Sequence, residues 1–586
     1  MDSATQTGGN VSDAATQTDE TVHEIPGAAD IRPEHDWNSG RCGMLNSSHL
    51  TQTDDLEASV YSGSQTDTLG MIDDPNDPSY EPTDSQTSTL LTSQSSQSLM
   101  SAVDDRKFVV FECQLDKLLG LLVCPTCQCL CCMDDIDKKC NEGTLLRVTA
   151  HCINGHVIVK WQSQPLIGRM PAGNLLIGAA TLFTGQTYGH MQNIAELLNL
   201  KFMSHTPFYT MQHTNFIPVI MAAWKKHQQS VFDELRIANK PLRLCGDGRM
   251  DSPGFSAKYC TYSLMDMNTD KVVAFAVLDV TEANGSSTNM EVLAFERCLQ
   301  ELLDNGFTVD VIATDRHVQV RSLMKRKYPM INHQFDVWHL VKSVRKKLHS
   351  VSHKKLNSDL SPWSQSICNH LWWCAANCGG DADLLEESWT SVVHHIANIH
   401  DFAGDIYTKC AHPPLTDDEQ RRKKWLTPCS PAHNALKEIV FSKALLKDVR
   451  QLNQFCHTGN LEVYHSLMTK YCPKRQEFDT VQMLARTTLA VLDHNHNTGR
   501  KQKTTADGDL RYKLVFTKAS AKWVAKPIYE NKTYEHVWHL MNGVVEQQER
   551  HLLAPVESSH LQNIAPVPAS PKQEMISKHL SRFTQD

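Results

Sequence analysis

Lysine is absent from the first 105 residues, which hold 2 arginines against 19 aspartates and glutamates, among abundant Ser, Thr, Gln and Gly. No sustained apolar periodicity runs through them. Such a segment has too little apolar surface to offset its chain entropy, which excludes a packed core there and predicts disorder. Long apolar runs are also missing from the whole chain: none approaches the roughly 18 residues that cross a bilayer. The amino-terminal residues lack the basic-then-apolar order of a secretory leader. A soluble, intracellular chain is therefore expected. In that setting the 19 cysteines read as reduced thiols and metal ligands rather than disulfides.

A chain of 586 residues exceeds one compact core, so about two to four structural units are expected. The net charge is −9, of which the first 105 residues contribute −17, leaving +8 on the remainder. That mildly basic remainder permits a polyanionic partner. Within the acidic segment a short unit recurs: Thr5-Gln6-Thr7, Thr16-Gln17-Thr18 and Thr51-Gln52-Thr53, with Ser64-Gln65-Thr66 and Ser85-Gln86-Thr87 as variants. Spaced copies on a flexible chain suggest multivalent docking, in which several weak sites gain avidity. The unit resembles the Thr-Gln-Thr anchor that adds as a β-strand to the dimeric dynein light chain.

From Lys107 the composition turns apolar and the cysteines cluster. Cys124-Pro125-Thr126-Cys127 is a CxxC knuckle, and Cys152-Ile153-Asn154-Gly155-His156 offers a CxxxH pair beyond strand-like Leu145 to Val148. Two knuckles joined by a hairpin supply the four converging ligands of a structural Zn²⁺ site, with Cys129, Cys131, Cys132 and Cys140 as alternative ligands. Residues 157–240 read as a strand, a loop and helical segments near 175–200 and 214–237, a lead-in without evident chemistry.

At Leu242 a new pattern begins. Residues 241–247, 257–266 and 272–280 are strand candidates, rich in β-branched and apolar residues, with Asp266 to Asp270 as a hairpin connection. A helix from Asn289 to Asn305, stopped by Gly306, follows. Then come a strand from Val309 to Ala313, a helix from Val318 to Lys327, a strand from Ile331 to Phe335, and a basic helix to about Leu348. Three strands, helix, strand, helix, strand is the order of the ribonuclease H fold. There Asp247, ending the first strand, and Asp315, ending the fourth, would sit on adjacent strands and face one cleft, with Asp251 as the alternative to Asp247. Sites on α/β sheets generally lie at such strand ends.

Residues 349–450 are helical and rich in Trp and His, an all-α insertion carrying the basic run Arg421-Arg422-Lys423-Lys424. Such a run is a solvated face or a phosphate contact. Beyond it, Thr458 or Asn460 is expected to cap a helix through Lys470 and to place Glu462 in its first turn, aimed at the sheet. Glu438 and Asp493 are rivals to Glu462. A further helix (481–493), a strand (Tyr512 to Phe516) and a helix (533–548) complete the core. Two aspartates and a glutamate converging on a cleft would bind divalent cations, Mg²⁺ or Mn²⁺, for in-line phosphoryl transfer.

Gly246-Asp247-Gly248 with Ser252-Pro253-Gly254, Thr314-Asp315-Arg316-His317, Phe335-Asp336-Val337-Trp338-His339, and Gly459-Asn460-Leu461-Glu462 with His465 resemble the motifs of cut-and-paste DDE transposases, most closely the Kolobok type. The similarity spans roughly residues 107 to 545. It implies Asp247, Asp315 and Glu462 as a catalytic triad, His339 of a DxxH element as a supporting residue, DNA as substrate, a homo-oligomer, and a nuclear location with cytoplasm second. The acidic segment stands where many such transposases carry a zinc-dependent DNA-binding module, which suggests a host-adapted chain. The alternative function is a non-catalytic DNA-binding or scaffold protein of transposase descent.

The expected architecture is thus an α/β, ribonuclease H-like mixed sheet with an all-α insertion. Its segments are a disordered tail (1–105), a zinc-ribbon-like module (106–165), a helical lead-in (166–240), the first part of the core (241–348), the insertion (349–450), core completion with the Glu462 helix (451–548) and a loose tail (549–586).

Overall fold

Val272 to Leu278 are apolar at every position rather than on alternate residues, the pattern of a strand in a sheet covered on both faces. A computed structural model of the chain describes residues 102–252, 257–474, 476–517, 522–556 and 570–579. The Thr-Gln-Thr units and the expected disorder of the acidic segment lie outside these residues. In the described part the chain is a mixed α/β protein. Strands β1 (Leu242–Met250), β2 (Tyr259–Asp266) and β3 (Val272–Asp279) are followed by α1 (Ser287–Asp304), β4 (Val309–Thr314), α2 (Val318–Lys327), β5 (Asn332–Phe335) and α3 (Val337–Ser352). The sheet order is β5-β4-β1-β2-β3. The first three strands form an antiparallel meander, and β4 and β5 run parallel to β1.

Because side chains alternate along a strand, neighbours on β1 separate to opposite faces. Leu244, with Leu264 and Ile312, packs against Phe295 and Leu299 of α1 and Leu323 of α2. Cys245, with Met265 and Ala313, packs against the other layer, made of lead-in helices and of α4 (Gly459–Tyr471), α5 (Thr480–Asn497) and α6 (Glu535–Arg550). Leu461 of α4 is fully buried in that layer, and truncating such a leucine to alanine costs roughly 2–5 kcal/mol. The insertion builds its own core around Leu340, Trp363, Leu371, Trp389 and Leu436. Among the described residues of 349–450 it contains helices and one isolated bridge, Asp401 to Lys409.

Local detail departs from expectation at the end of β1 and at the start of α4. β1 does not end at Asp247 but continues to Met250, with Asp247 opposite Ser263 and Gly248 opposite Tyr262. The glycines beside Asp247 are therefore packing positions rather than turn positions. A Cβ on Gly246 would lie 2.8 Å from the Tyr262 ring, and one on Gly248 would lie 2.8 Å from Cγ of Glu291. Thr458 precedes α4, but its side chain makes no cap hydrogen bond there, because its hydroxyl is committed to Asp336. Asn460 donates instead to Asp270 at 2.7 Å. The expected strand at Tyr512 to Phe516 is present as Tyr512–Thr517. It pairs with Lys522–Pro527 in a separate two-stranded ribbon.

Candidate active site

Asp247 lies two residues beyond Cys245 on β1, and Asp315 lies two residues beyond Ala313, the parallel partner of Cys245 on β4. Period-two alternation carries both acids to the face covered by α4. That helix is held at both ends. At its start, Oδ2 of the buried Asp336 accepts hydrogen bonds from the Thr458 amide at 2.7 Å and the Thr458 hydroxyl at 2.9 Å. At its end, Arg249 of β1 donates to the Cys472 carbonyl at 2.7 Å and Arg486 of α5 to the Tyr471 carbonyl at 2.9 Å. Both arginines are buried, and cations at a helix carboxyl end oppose its dipole favourably. Glu462 falls in the first turn, its amide bonded to the Thr458 carbonyl at 3.0 Å. One turn on, Nδ1 of His465 is 3.5 Å from Oδ2 of Asp247.

His339 belongs to the same group through Asp336. Oδ1 of Asp336 caps α3 by accepting from the His339 amide at 2.7 Å and lies 3.1 Å from Nδ1 of its ring. Burial opposes the charged imidazolium, but the Asp336 hydrogen bond and the charges of Asp336, Asp247 and Asp315 outweigh it and raise the His339 pKa. Burial likewise pushes Asp336 upward, yet the His339 and Thr458 donors prevail and hold it below the usual carboxylate range.

A fourth acid joins the cleft that the sequence reading passed over. Glu291, in the second turn of α1, packs on the bare Gly248 backbone, and its Oε2 is 4.0 Å from Nε2 of His317. Its pKa is pushed up to about 8, by burial and then by the charges of Asp315 and Asp247. Burial and the Asp247 charge raise Asp315 as well. Glu462 is raised by burial, with His339 acting against the shift. The signal for Glu291 is an acid on the helical stripe of Phe295 and Cys298, both buried. Rivals are otherwise engaged. Asp493 is buried and accepts from the Tyr471 hydroxyl at 2.7 Å, Asp251 accepts from the Lys258 amide at 3.1 Å, and Glu438 lies on an insertion helix.

Beside these acids opens a cleft of about 540 Å³ lined by Thr288, Asp315, Arg316, His317, Gln319 and His339. Half-buried carboxylates whose pKa is raised by neighbouring carboxylates, as in Glu291 and Asp315, gain from a shared cation, and oxygen donors suit a hard one. The acids do not converge as tightly as the Cys/His groups described next, whose ligand atoms all fall within 4.8 Å of one another.

Cys124, Cys127, Cys152 and His156 are one of those groups, and they could hold a metal ion. They sit at one end of a three-stranded antiparallel sheet, Cys131–Glu142, Leu145–Cys152 and Val157–Gln162. The Cys127 and Cys152 sulfurs are 3.6 Å apart, and Nδ1 of His156 is 3.5 Å from the Cys152 sulfur. Each knuckle turns through a left-handed residue, Gln128 at φ 61° and Gly155 at φ 76°. The Cys127 thiol is lowered to about 5, first by the Cys129 amide and then by Asn154 and His156. Cys129, Cys131, Cys132 and Cys140 stand outside the group.

In comparisons with known proteins, no family model matches the chain and no curated protein is significantly similar to it.

Proposed function

We propose that the chain cleaves and joins DNA strands by divalent-cation-dependent phosphoryl transfer, as a DDE transposase of Kolobok type with a ribonuclease H-like core, in mobile or host-adapted form. The observation that supports this reading is that Asp247 on β1 and Asp315, just past the adjacent parallel strand β4, lie close enough for the Asp247 charge to act on Asp315 and on Glu462 at the head of α4. The order β5-β4-β1-β2-β3, with its antiparallel meander and two parallel strands, supports the ribonuclease H-like assignment. Asp247, Asp315 and Glu462 would hold Mg²⁺ or Mn²⁺, which when bound activates a water or 3′-hydroxyl and stabilises the leaving oxygen.

The protein's own groups have distinct tasks. His339, its Nδ1 engaged by Asp336, turns its other ring nitrogen to a phosphate oxygen as a charged donor. His465 orients Asp247, and His317 restrains Glu291. Cys124, Cys127, Cys152 and His156 bind a structural Zn²⁺ that closes the small sheet. DNA is the substrate, the nucleus the place of action, and a homo-oligomer the working state. Binding of Mn²⁺ to the full chain, measured by isothermal titration, tests the site. We expect saturable binding in the wild type that weakens at least tenfold in Asp315→Asn, and equal binding by both proteins would refute the assignment.

A non-catalytic scaffold or DNA-binding protein is the second reading. The raised pKa values of Asp315, Glu462 and Glu291 around one cleft favour the enzyme.

A further inference from the structure

The insertion contains a second cluster of metal-ligating side chains, remote in sequence from the acids and from the Cys124 group. Ligand atoms of His395, His400, Cys410 and His412 all lie within 4.8 Å of one another. We propose that these four residues bind a structural Zn²⁺ ion that holds the loop of residues 396–416 to the helical insertion.

The hydrogen bonds around the cluster fix where its lone pairs point. Nδ1 of His412 is 2.7 Å from the Pro413 carbonyl oxygen, which only accepts, so that nitrogen carries the proton and Nε2 presents a lone pair. Nε2 of His400 is 3.1 Å from Oδ1 of Asn398, so in His400 it is Nδ1 that presents the lone pair. These two acceptor nitrogens face each other at 3.2 Å. Two lone pairs at that distance repel unless a cation lies between them. His395 and Cys410 complete the group, with the Cys410 sulfur 3.5 Å from Nδ1 of His395. Three imidazoles and one cysteine make a four-ligand donor set of the kind that suits tetrahedral zinc, and outer hydrogen bonds of this kind orient imidazole ligands.

The surroundings call for such a staple. Residues 396–416 contain no helix and a single isolated bridge, and a loop of that length inside a packed unit needs another anchor. His400 and Cys410 are brought side by side by the Cys410 amide on the His400 carbonyl at 2.9 Å. The Trp425 ring lies 5.8 Å from that of His395 and 5.7 Å from that of His400, and the Trp363 ring lies 6.2 Å from that of His395. These indoles cover the buried His395 side of the cluster, and His400, Cys410 and His412 are half-buried. Trp363 also donates to the Lys424 carbonyl at 2.9 Å, so the staple sits directly behind the basic run Arg421 to Lys424.

Zinc content of the purified full chain, measured by mass spectrometry, tests the proposal. The Cys152→Ser variant, which removes the first group, should retain one zinc per chain, and adding Cys410→Ser should remove it. Trypsin should then cut the Arg421 to Lys424 run several-fold faster. Cobalt substitution of the Cys152→Ser protein should give a tetrahedral spectrum with a single thiolate. Retention of that zinc in the Cys152→Ser, Cys410→Ser double variant, or the absence of tetrahedral cobalt bands, would overturn the proposal.

Discussion

Asp336 and Thr458 are joined by two hydrogen bonds on one carboxylate oxygen, 2.7 Å from the Thr458 amide and 2.9 Å from its hydroxyl, across 122 residues of sequence. The other oxygen of Asp336 caps α3 and orients His339. A single buried carboxylate therefore fastens the two ends of the insertion to each other and sets the starts of both helices that bring His339 and Glu462 to the cleft. The Val337 amide on the Cys456 carbonyl at 3.3 Å and the Gln454 amide on the Gln334 side chain at 3.2 Å reinforce the junction.

Asp336→Asn should weaken both halves of this clasp. The amide cannot accept on both sides at once, so at least one buried donor loses its partner, at a cost of roughly 1–3 kcal/mol. Chemical unfolding should register that loss, and Mn²⁺ affinity should fall although Asp336 is not itself proposed as a ligand. Unchanged values for both would rule out the clasp.

Glu291 should impose a pH dependence. Its pKa is near 8 in the folded state against an ordinary 4.5, so folding favours the protonated form. The stability it confers is complete below about pH 4.5 and is lost as pH rises toward 8. Without added divalent cation, Glu291→Gln should melt higher than the wild type at pH 8 and similarly at pH 4.5. Parallel melting curves for the two proteins across that range would show that Glu291 keeps an ordinary carboxyl group.

Gly248→Ala tests the same contact from the strand. The new Cβ would lie 2.8 Å from Cγ of Glu291, and overpacking of this kind costs roughly 1–3 kcal/mol. The added change Glu291→Ala should recover most of that loss. A double variant no more stable than Gly248→Ala alone would place the strain elsewhere.

With the proposed Zn²⁺ held by Cys124, Cys127, Cys152 and His156, Cys127→Ser should release that ion and expose residues 112–162 to proteolysis, since binding at such a site is coupled to folding. The outcome to check is zinc content, which should drop by one per chain. No drop would mean that Cys127 is not a ligand.

We further propose that residues 1–105 dock the dynein light chain through their Thr-Gln-Thr units. Calorimetry with that segment should give saturable binding that weakens stepwise as the units at 5–7, 16–18 and 51–53 are replaced by alanine. A flat titration removes the idea.

The succession of elements from Leu242 to Phe335 was legible because short strands rich in apolar and β-branched residues, Val272 to Leu278 above all, alternate with helices of 3.6-residue apolar period. Local detail was less so. Glycines beside Asp247 look like a turn in sequence, and only the packing of Tyr262 and Glu291 shows why the strand passes through them. The strand Cys131–Glu142 escaped because it is solvated and its Asp and Lys residues hide any alternation. The bond between Asp336 and Thr458 has no local sequence signature, since each residue reads as an ordinary helix cap. The His395 cluster was hidden for a similar reason: its ligands come from a segment without regular structure, where spacing carries little information.

The most direct measurement is strand cleavage by the purified full chain on DNA carrying candidate transposon ends, with Mg²⁺ or Mn²⁺, comparing wild type with Asp247→Asn, Asp315→Asn and Glu462→Gln. Divalent-dependent cleavage by the wild type, reduced at least a hundredfold in all three variants while their folding and zinc content stay intact, is the expected result. Cleavage that persists in any one of the three, or a wild type that cuts no DNA with either metal, would contradict the assignment.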